Sequence, residues 1–158
     1  MTVPILVSAC LVGFQCRYDG TSRLHAGVLK ALEGHTWMAV CPEQRAGFPT
    51  PRDPIMFEGG TGEAAIEGFA SVVSVTGLDV TRELVAAADS LARLASAYGV
   101  ERGILKERSP SCGVREVYVG DERVAGEGVF TAMLRQRGVT IISEEDLDAV
   151  KRNNPDDF

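Results

Sequence analysis

The chain has 158 residues, an ordinary apolar share of 45%, few aromatics and a formal net charge of −6 at pH 7, a profile that suits one globular domain. No stretch of about 18 apolar residues is present, so no segment reads as a membrane span, and Met1-Thr2-Val3-Pro4 lacks the basic run of a signal peptide. The acidity argues against a broad electrostatic grip on nucleic acid.

Pro4-Ile5-Leu6-Val7-Ser8 reads as a short buried strand, and Leu11 to Gly20 as a loop. Ser22 is placed to cap a helix through Leu32, with Leu24, Val28, Leu29 and Leu32 on one face. Trp37-Met38-Ala39-Val40 is a second buried strand, halted at Cys41-Pro42. Between Glu43 and Gly62, the density of proline and glycine argues against a regular helix or a central strand. A loop of about 20 residues in a compact domain is usually functional.

Phe69 to Val75 is another strand candidate. Thr81 opens the clearest helix, through Tyr98, with Leu84, Ala88, Leu91, Leu94 and Ala95 facing inward and Gly99 as its stop. Gly103-Ile104-Leu105 is a third buried strand, followed by a polar, turn-rich loop from Lys106 to Gly113. Glu116 to Val119 reads as a short strand, Gly126 to Gly128 as a flexible loop, and Val129 to Gln136 as a helix. A strand from Val139 to Ile142 and a short helix from Ser143 follow, with a frayed tail over 153–158. Residues 1–152 then form a single domain. The alternation predicts a compact, Rossmann-like three-layer α/β fold with a mostly parallel sheet and helices on both faces.

Four cysteines carry the chemical signal. In a cytoplasmic setting thiols stay reduced, so Cys10, Cys16, Cys41 and Cys112 read as packing, metal-binding or catalytic groups rather than disulfides. Open parallel sheets bind ligands beyond the carboxyl ends of their strands. Cys10, Cys41 and Cys112 each fall just after a predicted strand, on loops that this fold brings to one edge. The Cys10-x5-Cys16 spacing matches neither a zinc ribbon nor a ferredoxin run. His25 and His35 have no ligand-like spacing. Glu43, two residues past Cys41, is placed to serve as an acid or base. Ser109 and Ser111 bring hydroxyls beside Cys112. Gly126-x-Gly128 before a helix is a weak candidate anion cradle.

Taken in order, Ser8-Ala9-Cys10-Leu11-Val12-Gly13, Cys16-Arg17-Tyr18-Asp19-Gly20, Cys41-Pro42-Glu43 and Pro49-Thr50-Pro51-Arg52 resemble the thiouracil desulfidase family. Gly77-x-Asp79-Val80-Thr81, Leu105-Lys106, Ser109-Pro110-Ser111-Cys112-Gly113, Gly126-x-Gly128-Val129 and Gly138 continue the likeness, over residues 5–145. The chain departs from the family pattern at Ala46-Gly47-Phe48, where Gly-Gly-Leu is common, and near Met56, where a glutamate often stands.

The resemblance implies a [4Fe–4S] cluster held by three cysteines, with one iron open, and a non-redox removal of sulfur from thiolated uracils. By motif the ligands are Cys10, Cys41 and Cys112, with Cys16 as a substitute, a fourth ligand or a neighbouring thiol. Glu43 then activates water, and Ser109 or Ser111 hydrogen-bonds the ring or its developing charge. Lys106 joins this catalytic set and, with Asp19, supports the centre from outside. The implied partner is a thiolated pyrimidine base or nucleoside, with thiolated tRNA as a larger candidate. The competing reading is a non-catalytic iron–sulfur or zinc-binding module acting as a sensor or carrier.

Overall fold

The computed structural model describes residues 2–147. The expected tail over 153–158, and all but the start of the short helix from Ser143, lie outside the described residues. The chain runs β1 (Ile5–Ser8), α1 (Ala26–Leu32), β2 (Trp37–Val40), α2 (Pro42–Arg45), β3 (Ile55–Glu58), α3 (Gly62–Glu67) and β4 (Ser71–Ser74). It continues through α4 (Thr81–Ala97), β5 (Arg102–Leu105), β6 (Glu116–Val119), β7 (Glu122–Ala125), α5 (Val129–Gln136) and β8 (Thr140–Ser143).

One sheet has the order β2-β1-β5-β8, with every pairing parallel. Alternation along its strands sends side chains to two apolar layers. Ile5, Val7 and Ile104 pack with Val28, Ala31 and Leu32 of α1. Leu6 and Leu105 pack with Leu84, Ala88, Phe130 and Leu134 of α4 and α5. This is the expected α/β fold, a parallel sheet between helical layers.

A second sheet, β4-β3-β6-β7, adds its own apolar face to the α4–α5 layer through Phe57, Val72 and Val117. Sequence reading does not anticipate it. The proline- and glycine-rich stretch after Glu43 contains the one-turn α2 and, contrary to expectation, a central strand: β3 pairs antiparallel with β4 and parallel with β6. The strand fits because Pro54 and Gly59 bracket four residues, Ile55 to Glu58, that are free of both. β7 also goes unseen by sequence. It joins β6 as a hairpin across Gly120-Asp121, with Gly120 at φ 58° supplying the left-handed turn residue.

Helix α1 starts at Ala26, not after Ser22. Arg23 N donates to Cys10 O at 2.8 Å and His25 N to Leu11 O at 3.0 Å, so the segment before the helix is extended against the Cys10 loop. Its amides are already used, and His25 caps the helix instead, its Nδ1 accepting from Val28 N at 3.2 Å. Leu24 consequently faces solvent, as does Leu29. Leu94 of α4, expected inside, is half-exposed.

The loop between β5 and β6 is built by two buried carboxylates. Glu107, 2% exposed, accepts at Oε1 from the backbone N–H groups of Val114, Arg115, Glu116 and Arg108 at 2.8 to 3.3 Å. Glu144 accepts from Lys106 Nζ at 2.7 Å and from Glu107 N at 2.9 Å, tying the loop to the end of β8. Gly126 to Gly128 is not a flexible stretch. Gly128 N donates to Gly113 O, Val129 N to Pro110 O and Phe130 N to Ser111 O, each at 2.8 to 2.9 Å. These bonds spend the amides at the start of α5 on the cysteine loop, so the anion-cradle reading of Gly126-x-Gly128 fails. A Cβ on Gly128 would lie 2.4 Å from the carbonyl carbon and oxygen of Ser111.

Gly128→Ala is therefore expected to destabilise the protein by about 3 kcal/mol through overpacking. Gly128 has φ −69°, where alanine is unstrained, so a fall in the urea unfolding midpoint reports the contact itself. A second expectation concerns Glu107. Burial alone would raise its carboxyl, but the backbone donors outweigh that and hold it below the ordinary carboxylate value. A depressed folded-state value stabilises the fold above the unfolded value of about 4.3 and is lost as pH falls through the lower folded value. Glu107→Gln should cost about 2 kcal/mol at pH 7. The gap from wild type should narrow below pH of about 4, as read from urea unfolding across that range.

Candidate active site

β2, β1 and β5 are neighbours in the parallel sheet, so their carboxyl ends emerge side by side. The chain leaving β1 enters a 3-10 turn, Ala9–Val12, that carries Cys10. The chain leaving β2 places Cys41 just before α2. The loop leaving β5 carries Cys112. These three, with Cys16, line one cavity of about 460 Å³, within the size range of small-ligand pockets.

The thiols influence one another there. Cys16 hydrogen-bonds the Cys10 thiol, which together with burial pushes it up to about 11, although its hydrogen bond with Cys41 pulls the other way. Cys41 is pushed up by its hydrogen bond with Cys16 and by burial. Cys112 is pushed up chiefly by burial, reinforced by the charges of Cys41 and Glu43 and opposed by a hydrogen bond from Ser8. Cys10, Cys16 and Cys112 are buried, and Cys41 is partly open to the cavity.

Glu43 lines the same cavity. Proline at the first position of α2 and the cysteine before it set the turn that turns this side chain inward. Its Oε1 pairs with Arg52 Nε at 3.1 Å, and its Oε2 accepts from Ser111 Oγ at 3.2 Å. Arg52, whose side chain is 6% exposed, also donates to the Cys16 carbonyl at 2.8 Å and to Pro49 O and Thr50 Oγ1. It thus joins the Cys16 loop to α2.

Ser109 and Ser111 both line the cavity, and their bonds differ. Ser109 Oγ accepts from the backbone N–H groups of Ser111 and Cys112 at 3.1 and 3.2 Å, bracing the turn that presents the thiol. Ser111 alone reaches Glu43. Lys106 lines the cavity with its ammonium bound to Glu144 and to the Glu107 carbonyl at 3.1 Å. Asp19 is not brought to the cavity. It is exposed and accepts from Thr21 N and Oγ1, at 3.1 and 2.6 Å, holding the turn after Cys16. Those bonds keep its carboxyl below the usual range.

Sequence reasoning passed over four residues that organise this centre. Arg52 appears in it only within a motif. Ser8 accepts from Lys106 N at 2.9 Å and touches the Cys112 thiol. Glu107 and Glu144 shape the loop. Ser8, Glu144 and the Arg52–Cys16 bond work across 30 or more residues of sequence. The remaining partners of the Arg52 side chain and the backbone partners of the Glu107 carboxylate lie within ten residues but carry no pattern of their own.

The opposite wall comes from the second sheet: Ile55 and Met56 of β3, Tyr118 of β6, and the hairpin turn Gly120-Asp121. Among the described residues no group of three or more His, Cys, Asp or Glu is arranged to hold a single metal ion. Four soft thiols lining one cavity, with Cys16 in contact with both Cys10 and Cys41, suit a polynuclear iron–sulfur core, in which each ligating thiolate binds a different iron. The donor set therefore fits the cluster that the sequence resemblance implies.

Comparison with known proteins agrees with this geometry. The model of the 2-thiouracil desulfurase family matches residues 5–146. A Bacillus subtilis (strain 168) protein named "Uncharacterized protein YbbK" is 38% identical over 149 residues, which cover 92% of this chain and 99% of that one. A solved structure of the [4Fe-4S]-dependent thiouracil desulfidase TudS superposes with a TM-score of 0.79 at 40% identity, covering 95% of this chain and 96% of that one. With its cysteine loops, its fold and nearly its whole length accounted for by that match, the chain belongs to the 2-thiouracil desulfurase family.

Proposed function

We propose that this protein is an iron–sulfur-dependent desulfidase. It exchanges the sulfur of a thiolated uracil for the oxygen of water, giving uracil and hydrogen sulfide with no electrons supplied. The observation that carries this reading is the meeting of four thiols and the Glu43–Ser111 pair in one cavity at the ends of three parallel strands. Candidate substrates are 4-thiouracil, 2-thiouracil and 4-thiouridine. The net charge of −6 favours these over thiolated tRNA. Among the described residues no helix is long and apolar enough to cross a membrane, and reduced thiols fit a cytoplasmic setting.

Cys10, Cys41 and Cys112 are the proposed ligands of a [4Fe–4S] cluster, with Cys16 as a neighbouring thiol able to substitute. When bound, the cluster supplies a Lewis-acidic iron that draws electron density out of the C=S bond. The chain's own groups do the rest. Arg52 fixes one oxygen of Glu43, which leaves Oε2 to take a proton from the attacking water. Ser111, already bound to that oxygen, is placed to hydrogen-bond the ring as charge shifts. Ser109 holds Cys112 in position through two backbone amides. Lys106 and Glu144 fix the start of the same loop. Asp19 steadies the turn after Cys16.

The test is anaerobic reconstitution followed by loss of thiocarbonyl absorbance from 4-thiouracil, 4-thiouridine and 2-thiouracil, with sulfide measured and no reductant added. Turnover under those conditions is expected; a requirement for electrons would overturn the hydrolytic scheme. Cys10→Ser, Cys41→Ser and Cys112→Ser should each lose most of the visible absorbance. Glu43→Gln should retain it and lower kcat by about 10²- to 10⁴-fold, and Ser111→Ala should lower kcat by about 10- to 100-fold. Wild-type turnover in both of these variants would rule out their roles. A carrier or sensor module predicts no turnover in any form. A steep fall of activity toward thiolated tRNA with added salt would mark phosphate contacts.

A further inference from the structure

Four cationic side chains line the cavity: Arg17, Arg52, Lys106 and Arg108. Three of them are already committed. Arg52 pairs with Glu43 at 3.1 Å, Lys106 with Glu144 at 2.7 Å, and Arg108 with Glu145 and, at 3.7 Å, with Glu116. The Arg17 side chain has no ion-pair or hydrogen-bond partner among the described residues, and its Nε is sealed from solvent without an acceptor. The nearest carboxylate in sequence, Asp19, is engaged by Thr21 and Arg23. The Arg17 guanidinium lies 5.7 Å from the centre of the Tyr18 ring, a cation–π contact that restrains it without using its N–H groups.

A guanidinium that lines a pocket while its neighbouring cations are all paired is open to a ligand oxygen through its terminal N–H groups. The position indicates which oxygen. Arg17 directly follows Cys16, and both line the cavity that holds the other thiols, where the reacting ring has to sit. A thiolated uracil that presents its sulfur to that side retains one carbonyl oxygen on the same ring. We propose that Arg17 is a specificity residue, its guanidinium donating to the retained ring carbonyl and so orienting the thiocarbonyl toward the thiols. This rests on the desulfidase reading and adds to it the group on the base that is recognised. A bare phosphate, more heavily hydrated, would instead be met at the solvent-facing mouth.

The test compares 4-thiouracil with pyrimidine-4-thione, which lacks that oxygen and with it the N1 proton, using the reconstituted protein. Arg17→Gln should lower kcat/KM for 4-thiouracil by about 10- to 100-fold, mainly through KM, and leave pyrimidine-4-thione nearly unchanged. Arg17→Lys should recover part of the loss and serves as the second variant if glutamine disturbs folding. Calorimetry supplies a readout apart from turnover: uracil should bind the variants more weakly by a similar factor, and pyrimidin-4-one should not. Visible absorbance per chain and the unfolding midpoint should match wild type. An equal loss on both rings, or a loss confined to the nucleoside 5′-monophosphate, would overturn the assignment. If the wild type desulfurates neither thione, the desulfidase reading falls, and the paired uracil and pyrimidin-4-one measurements still decide the role of Arg17.

Discussion

Parallel pairing of β2, β1 and β5 is the constraint on which the rest of this structure depends. In an antiparallel arrangement the loops bearing Cys10, Cys41 and Cys112 would alternate between opposite edges of the sheet. Parallel pairing with the register Ile5–Trp37 through Ser8–Val40, and Leu6–Gly103 beside it, puts all three on one edge. The sheet owes that arrangement to helices on both faces, since a parallel sheet needs both sides covered. The apolar packing of α1 on one side and α4 with α5 on the other is thus a condition for the thiols to meet at all.

Convergence of strand ends does not by itself fix side chains, and the remaining order comes from polar groups removed from water. Glu107 gathers the amides of residues 108 and 114 to 116 around one oxygen, and Glu144 clamps the start of the same loop. Arg52 performs the same service for the other half of the cavity, crossing from α2 to the Cys16 carbonyl. Buried charges of this kind are costly unless every lone pair and proton finds a partner. Here nearly all of them do, and the arrangement fixes loops that lack regular secondary structure.

The core of the first sheet was legible in the sequence because its strands are short apolar runs and its cysteines stand just beyond them. Glu43 and Ser111 were legible because they flank those cysteines. The second sheet was not. Glu122-Arg123-Val124-Ala125 has no apolar alternation to announce a strand, and Ile55 to Glu58 is hidden between Pro54 and Gly59. The start of α1 was misplaced because the amides of Arg23 and His25 are claimed by carbonyls of the Cys10 turn, a tertiary contact that overrides the capping preference of Ser22. Arg52 and Glu144 escaped notice for a related reason. Glu144 and the Arg52–Cys16 bond join residues far apart along the chain, and a lone arginine or glutamate carries no sign of what it will bind.

The cavity is assembled from two sheets with separate duties. The first supplies every thiol; the second supplies Ile55, Met56, Tyr118 and the Gly120-Asp121 turn. The hairpin holding the last of these pairs with β3 at Phe57 and Val119, with Gly120 N donating to Phe57 O at 2.9 Å. Such a division makes the fold modular: the hairpin tip offers a place where lineage drift or deliberate grafting can reshape ligand preference while the sulfur-bearing edge stays as it is.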